Sequence, residues 1–497
     1  MNKSPGRWIA PGIIFGAILL GLVPLVGFAL FHKDDSVAGF DPSLLGILWF
    51  TLKQAFLSSI ISVGTGFFAA RALARRNFPG QDIVLGLFGM PLALPAIVVV
   101  LAITRVYGAQ GWLGGWVNIY GLNGILLAHV FFNMPLATRL MLEALRQIAP
   151  ENIRLSEQLG LSDLGFFRHV EWPILRHVMP RIFALIFLLC AASFVIVLTL
   201  GGPSATTLEV AIYQSLRQDF DVSRALDLSA LQIMVCLVLV VISGRLALHA
   251  PTLAHYQRRE TRRDGVGWPS RIMDFSAIAA AIAFMVPPAA ALVLAGFVNI
   301  QFNAQAMGTS LMLGAGSALI SVALAWTLAR DGGIGLQVTS LAALIVPPAV
   351  LATGWFLLLR PVSDSKFIVV ASIVALNALM TLPFATSLLA PAFAQVARTQ
   401  DRLCLELGIQ GWARFWHIDV RSLKRPLIQA FLMAFVFSLG DLTAITLLGT
   451  QGLITMPVVI HQQMGHYRGH EADGSALVLA GFCYGLTLVA QRLGKPG

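Results

Sequence analysis

Met134-Pro135-Leu136-Ala137-Thr138 returns 248 positions later as Leu382-Pro383-Phe384-Ala385-Thr386. The same offset aligns Arg154-Leu155 with Arg402-Leu403 and Leu159-Gly160-Leu161 with Leu407-Gly408-Ile409. It also aligns His169-Val170-Glu171 with His417-Ile418-Asp419, and Leu175-Arg176 with Leu423-Lys424. Upstream the register slips slightly, so that Leu73-Ala74-Arg75 meets Leu328-Ala329-Arg330. Apolar segments resemble one another by chance. Agreement at glycine and polar positions of a charged loop is different, and it makes the chain two related halves.

Each half is a string of apolar runs. Hydrocarbon ~30 Å thick needs about 20 helical residues to cross it. Runs of that size lie near 8–31, 46–70, 82–106, 121–141, 180–200 and 226–249. A second set lies near 272–297, 306–329, 338–360, 367–390, 427–449 and 473–491. These predict an all-α polytopic membrane protein with about twelve spans in two sets of six. Six is even, so both halves enter the membrane in the same sense, as a parallel pseudo-twofold pair. The expected division is a first half over 1–250, a basic, proline-containing linker over 251–271, and a second half over 272–497. The linker is too short to be a domain. The first run follows Lys3 and Arg7, but it outruns a signal-peptide core and lacks a small-x-small exit before His32. It reads as an anchor.

Composition agrees. Of 497 residues, 57% are hydrophobic and 12% charged, with mean hydropathy +0.79. Soluble proteins carry about 25% charged residues. A soluble enzyme, a nucleic-acid binder and a disordered scaffold are excluded on that ground. The net charge of +10 needs no nucleic-acid partner, because cationic residues gather on the cytoplasmic side of helical membrane proteins. With the N-terminus inside, 26 of the 34 Lys and Arg fall in cytoplasmic segments. Lys33, Lys53, Arg105, Arg217, Arg224, Arg360, Lys366 and Arg468 remain outside. Both termini are therefore expected in the cytoplasm. Cys190, Cys236 and Cys483 lie in apolar runs and Cys404 in a charged loop, which outlines no disulfide or metal framework.

The longest cytoplasmic segment of each half separates its fourth and fifth spans, near 143–179 and 391–426. In the first, Glu151 to Leu159 suits a short helix that Gly160 stops, since glycine accepts a left-handed backbone. Ser162 suits the N-cap of a second helix with Leu164, Phe167, Val170 and Ile174 at helical spacing. Pro173 is expected to break or redirect that helix. One such hairpin reads equally as an amphipathic pair packed under its own bundle. Two at matching positions suit a twofold cytoplasmic partner.

Gly160, nine residues, then Val170-Glu171-Trp172-Pro173 resembles the EAA loop of binding-protein-dependent ABC importer permeases. The second copy runs from Gly408 to Ile418-Asp419-Val420-Arg421. Arg154 and Arg402 stand at the usual glutamate position, Ser156 and Cys404 follow among the usual small residues, and Arg421 replaces the proline. Elsewhere the chain is similar to the thiamine importers of that family. The residues concerned are Tyr120 to Pro135, Val106-Tyr107-Gly108, Gly201-Gly202-Pro203 and Ala211 to Gln214. In the second half they are Val350 to Gly354, Leu423 to Leu427 and Ser438-Leu439-Gly440-Asp441. The resemblance implies a type I ABC importer permease in a bacterial inner membrane, with both halves fused. It implies two copies of a cytoplasmic ATPase docked on the loops, through Arg154, Ser156, Gly160, Val170 and Pro173, and through Arg402, Cys404, Gly408 and Ile418. It further implies a periplasmic thiamine-binding protein, with ATP and magnesium held by the ATPase. Related ferric-iron importers share the fused plan, so iron is the alternative cargo.

The chain's own chemistry fits a transport subunit. A phosphate-binding loop ends in Gly-Lys-Ser/Thr; of the six lysines only Lys495 follows glycine, and Pro496 comes next. No catalytic residue, resident cofactor or metal ligand set is expected. His461, His466 and His470 match no metal-binding spacing. A major-facilitator transporter also has twelve spans, but its longest cytoplasmic loop usually joins the halves. Polar residues within spans raise a functional question. His129 and Asn133 share a helical face, Asn377 lies in the corresponding second-half helix, and Asp441 interrupts a late span. They either bind helices together or line a translocation path. Asp441 either faces a cationic solute or is satisfied by Thr443 or a backbone amide. Tyr107, Trp112, Trp116 and Tyr120 suit an interfacial belt.

Overall fold

Hydrocarbon offers the backbone no hydrogen-bond partner, so a chain crossing it must bond within itself as a helix. A computed structural model of the chain describes residues 9–31, 42–115, 118–202, 205–245, 267–332, 339, 342, 346–359, 365–409, 411–450, 452–466 and 468–494. In the first half the helices are α1 (Ile9–Phe31), α2 (Pro42–Arg75), α3 (Gln81–Leu87), α4 (Ala96–Tyr107), α5 (Leu122–Arg146) and α6 (Pro150–Gln158). They continue with α7 (Asp163–Phe166), α8 (Trp172–Ala191), α9 (Val195–Leu200), α10 (Leu208–Arg217) and α11 (Val222–Arg245). The second half holds α12 (Trp268–Val298), α13 (Ala304–Asp331), α14 (Pro348–Leu359), α15 (Lys366–Glu406) and α16 (Gly411–Arg414). It ends with α17 (Val420–Leu439), α18 (Thr443–Leu448), α19 (Met456–Gly465) and α20 (Gly469–Gly494).

The expected twelve simple spans resolve differently. Among the described residues, nine helices are long and apolar enough to cross a bilayer. The run at 82–106 is instead a pair, Gln81–Ala93 and Ala96–Tyr107, bent by 115°. Its hinge is chemical: Leu94 is extended (φ −97°, ψ 136°) before Pro95, because a proline ring disfavours a helical backbone at the preceding residue. Shorter apolar stretches occur at Ala10–Leu25 and Pro348–Leu359. The second starts beside Pro347 and Pro348, which bring no N–H to an earlier turn. The runs at 180–200 and 427–449 are interrupted too, with α8 ending at Ala191 and α17 at Leu439 before α9 and α18 begin. Of the expected linker, 251–266 lies outside the described residues, Gly267 is the N-cap of α12, and 268–271 form its first turn.

The first helix of each half lies on the other half: α1 packs against α14, and α12 against α2 and α4. Glycine makes the first crossing close. A Cβ on Gly354 would stand 1.7 Å from the carbonyl oxygen of Gly21. Beside it, Trp355 Nε1 donates to the Ala17 carbonyl at 3.1 Å. A further tie joins α4 to α20, where Arg105 grips the buried Asp473 with two N–O distances of 2.7 Å. The halves are thus interlocked, and both repeated loops project from the same structure.

Candidate coupling loops and intramembrane polar residues

Each repeated loop is a helix, a left-handed glycine and a second helix. The N–H of Leu161 donates to the Ser156 carbonyl at 3.1 Å, and that of Ile409 to the Cys404 carbonyl at 2.9 Å. Such a six-residue closure requires a left-handed residue just before the donor. Gly160 (φ +62°) and Gly408 (φ +67°) supply it. No atom lies within 4 Å of where a Cβ would stand at either position. Backbone angle, not space, demands glycine there. Ser156 and Cys404 are buried, whereas Arg154 and Arg402 are exposed. Ser162 caps α7 as expected, its Oγ accepting from the Gly165 N–H at 3.2 Å.

Pro173 does not break the second helix. It sits in the first turn of α8, where a missing N–H leaves little unsatisfied. α7 runs into α8 through one π-helical turn, Phe167–Glu171, and α16 into α17 through another, Phe415–Asp419. The second copy has Arg421 in place of proline, so proline does not impose the turn. What the copies share is the acid that closes it. A π turn adds a residue and so rotates the helix beyond it, and both acids are buried. Arg71 Nε donates to Glu171 Oε2 at 2.7 Å, while its guanidinium lies 4.8 Å from the Phe167 ring centre. In the second half Asp419 faces Arg414 at 3.5 Å and Arg330 at 4.0 Å. There Trp326 takes the place of Arg71 and meets Phe415 edge-on at 5.3 Å. These anchors fix the first loop to α2 and the second to α13, the second helix of each half. Sequence reading aligned both acids without assigning them a role.

Beyond the anchors the loops present matching outer faces. Leu155, Leu159 and Leu164 are exposed in the first, and Leu403, Leu407 and Trp412 at the same positions of the second. Of the apolar set expected to point one way, Leu164 points outward while Phe167, Val170 and Ile174 are half-buried, as is Ile418. Trp412 stacks on Phe415, with ring centres 5.0 Å apart and planes at 22°. The first loop is also tied across the halves. Its Asp163 accepts a hydrogen bond from Ser270 of α12 and pairs with Arg75 at 3.1 Å. Arg75 and Arg76 in turn reach Asp274 of α12, at 3.6 and 2.7 Å.

The intramembrane polar residues fall into two kinds. His129 Nδ1 lies 3.0 Å from Ser58 Oγ, and Asn133 Nδ2 donates to Cys190 Sγ at 3.3 Å. Asn377 Nδ2 donates to Ser438 Oγ at 3.0 Å. Ser438 is the counterpart of Cys190, so these are repeated ties within each bundle. Asp441 differs. It stands at the break between α17 and α18, and its two oxygens accept from the N–H groups of Thr443 (3.2 Å) and Ala444 (2.9 Å). The adjoining Gly440 approaches Pro95 of the first half so closely that a Cβ would lie 2.9 Å from the Pro95 ring. Asp441 thus stands beside a contact between halves; another lies at Phe131, between His129 and Asn133 on α5, whose ring centre is 6.1 Å from that of Phe284 on α12.

Comparison with known proteins matches this arrangement. The profile described as "Binding-protein-dependent transport system inner membrane component" fits residues 62–250 and again 321–494. The thiamine transport system permease protein ThiP of Escherichia coli (strain K12) is 40% identical over 527 aligned residues, covering 99% of this chain and 97% of that protein. The protein of the same name from Brucella abortus (strain 2308) is 39% identical, over 96% of this chain and 92% of its own length. That from Haemophilus influenzae (strain ATCC 51907 / DSM 11121 / KW20 / Rd) is 35% identical, over 89% and 87%. The chain belongs to the inner-membrane components of binding-protein-dependent transport systems, as a multi-pass membrane protein carrying two copies of the family's unit.

Proposed function

We propose that this chain is the membrane subunit through which an ABC importer moves thiamine inward, driven by ATP hydrolysis in separate subunits. The observation that carries the reading is the exposed apolar triad set at matching positions of both anchored loops. Two equal faces suit two copies of one ATPase, which alone holds ATP and magnesium. Residues Arg154, Ser156, Gly160, Val170 and Pro173, with Arg402, Cys404, Gly408 and Ile418, form or support those faces. A periplasmic binding protein delivers the cargo on the opposite side. Both termini then lie in the cytoplasm, as the loops do.

Thiamine is the cargo in the names of the relatives above, which leaves the ferric-ion alternative without support. Closure of the ATPase on ATP moves the loops, and the buried Arg71–Glu171 pair carries that motion into α2. The halves respond as rigid bodies, giving alternating access. Asp441, beside the contact with Pro95, belongs to the wall between them. His129, Asn133 and Asn377 keep each half rigid behind that wall. The test is uptake of labelled thiamine by vesicles containing this chain, its ATPase and its binding protein. Uptake without ATP, or none with it, is the contrary result.

A further inference from the structure

Glu209 opens α10 in the first half and is fully buried, at 0% exposure. Its surroundings are polar but incompletely paired. Gln232 Nε2 of α11 reaches Glu209 Oε1 at 3.5 Å, and the carboxylate lies against the backbone amide of Ala349, in the first turn of α14. Glu209 Oε2, Thr207 Oγ1 and Gln232 Oε1 are all buried with no hydrogen-bond partner among the described residues. Ala349 belongs to the second half, so this carboxylate closes a contact between halves.

Depth is set by the helices. Gln232 is the eleventh of the 24 residues of α11, or about 15 Å from the Val222 end at 1.5 Å per residue. Ala349 is ten residues before Leu359 at the other end of α14, again about 15 Å. Both place Glu209 near the middle of a hydrocarbon layer ~30 Å thick. An acid there is costly, and one with an unpaired oxygen is not explained by packing. The second half has no equivalent: Thr455, Pro457 and Ala480 stand where Thr207, Glu209 and Gln232 stand. The group therefore contributes a single buried carboxyl, at a place where discontinuous helices of the two halves meet, which is where carriers of repeated architecture hold their solutes.

We propose that Glu209 is the residue that meets the positive charge of the cargo between the halves. In the arrangement described it is shut against the Ala349 amide. Parting of α10 from α14 frees its oxygens to face the thiazolium cation. The inference rests on the thiamine reading. The test uses the whole complex in proteoliposomes, with Glu209→Gln, which keeps shape and acceptor but not charge, and Glu209→Asp. Thiamine uptake should fall at least about tenfold in Glu209→Gln, while binding-protein-stimulated ATP hydrolysis stays within about twofold and Glu209→Asp recovers much of the uptake. Unchanged uptake in Glu209→Gln overturns the proposal. So does loss of uptake and hydrolysis together in both variants, which marks a structural role. If the unaltered complex carries no thiamine, the thiamine reading fails first and this inference falls with it.

Discussion

Arg71 holds Glu171 at 2.7 Å across 100 residues of sequence, and that carboxylate is fully buried beneath the first loop. The pair turns a surface hairpin into a lever fixed to the bundle. In the second half Trp326 replaces Arg71 and the acid is held more loosely, Asp419 lying 3.5 Å from Arg414 and 4.0 Å from Arg330. The loops therefore present similar apolar faces on unequal anchors.

Removing one partner of a buried pair leaves a buried charge and costs about 3–5 kcal/mol. Arg71→Ala should lower the unfolding temperature of the detergent-solubilised chain and reduce transport more than Arg330→Ala does. Arg330 is 44% exposed, so its contribution is screened to below about 1 kcal/mol. Equal thermal shifts in the two variants would contradict the unequal anchoring.

The glycines of the loops make a separate prediction. Gly160→Val and Gly408→Val should each add about 1–3 kcal/mol of backbone strain and weaken ATPase association, with insertion preserved. Gly160→Asn should do less harm, because asparagine tolerates the left-handed region. Co-purification of the ATPase reads both effects. Valine and asparagine behaving alike would show that backbone angle is not the constraint.

Truncating the exposed triads should act on docking alone. Leu164→Ala combined with Leu407→Ala is expected to leave the thermal stability of the isolated chain nearly unchanged and to reduce ATPase co-purification strongly. Each side chain is exposed, and surface changes usually stay within about 0.5 kcal/mol. Normal co-purification would remove these faces from the docking surface.

At the crossing of α1 and α14, Gly354→Ala places a methyl group 1.7 Å from the Gly21 carbonyl oxygen. It should destabilise by at least about 1–3 kcal/mol, as overpacking does. Gly12→Ala, on α1 with nothing within 4 Å, is the control. A larger thermal shift in the control than in Gly354→Ala would contradict the close crossing.

The halves and their loops are legible in the sequence because glycines and charged residues repeat where lipid does not dictate composition. Gly160 and Gly408 announce their turns for that reason. Helix breaks are harder to read, since Leu94-Pro95 and the stop at Ala191 lie inside apolar runs. Arg71 and Glu171 meet only after α2 and α8 pack, and no periodicity links them. Glu209 falls in a segment that reads as a connection between spans, so its depth emerges only with α10, α11 and α14 in place. Asp441, the acid that interrupts a late span, caps α18 through the Thr443 and Ala444 amides.

The most direct test of the account is ATP-driven thiamine uptake by proteoliposomes containing this chain with its ATPase and thiamine-binding protein, compared with vesicles lacking the ATPase. Labelled thiamine should accumulate only when chain, ATPase, binding protein and ATP are all present, and the purified chain alone should hydrolyse no ATP. Accumulation without the ATPase, or a complete complex that hydrolyses ATP and moves ferric ion but not thiamine, would contradict it.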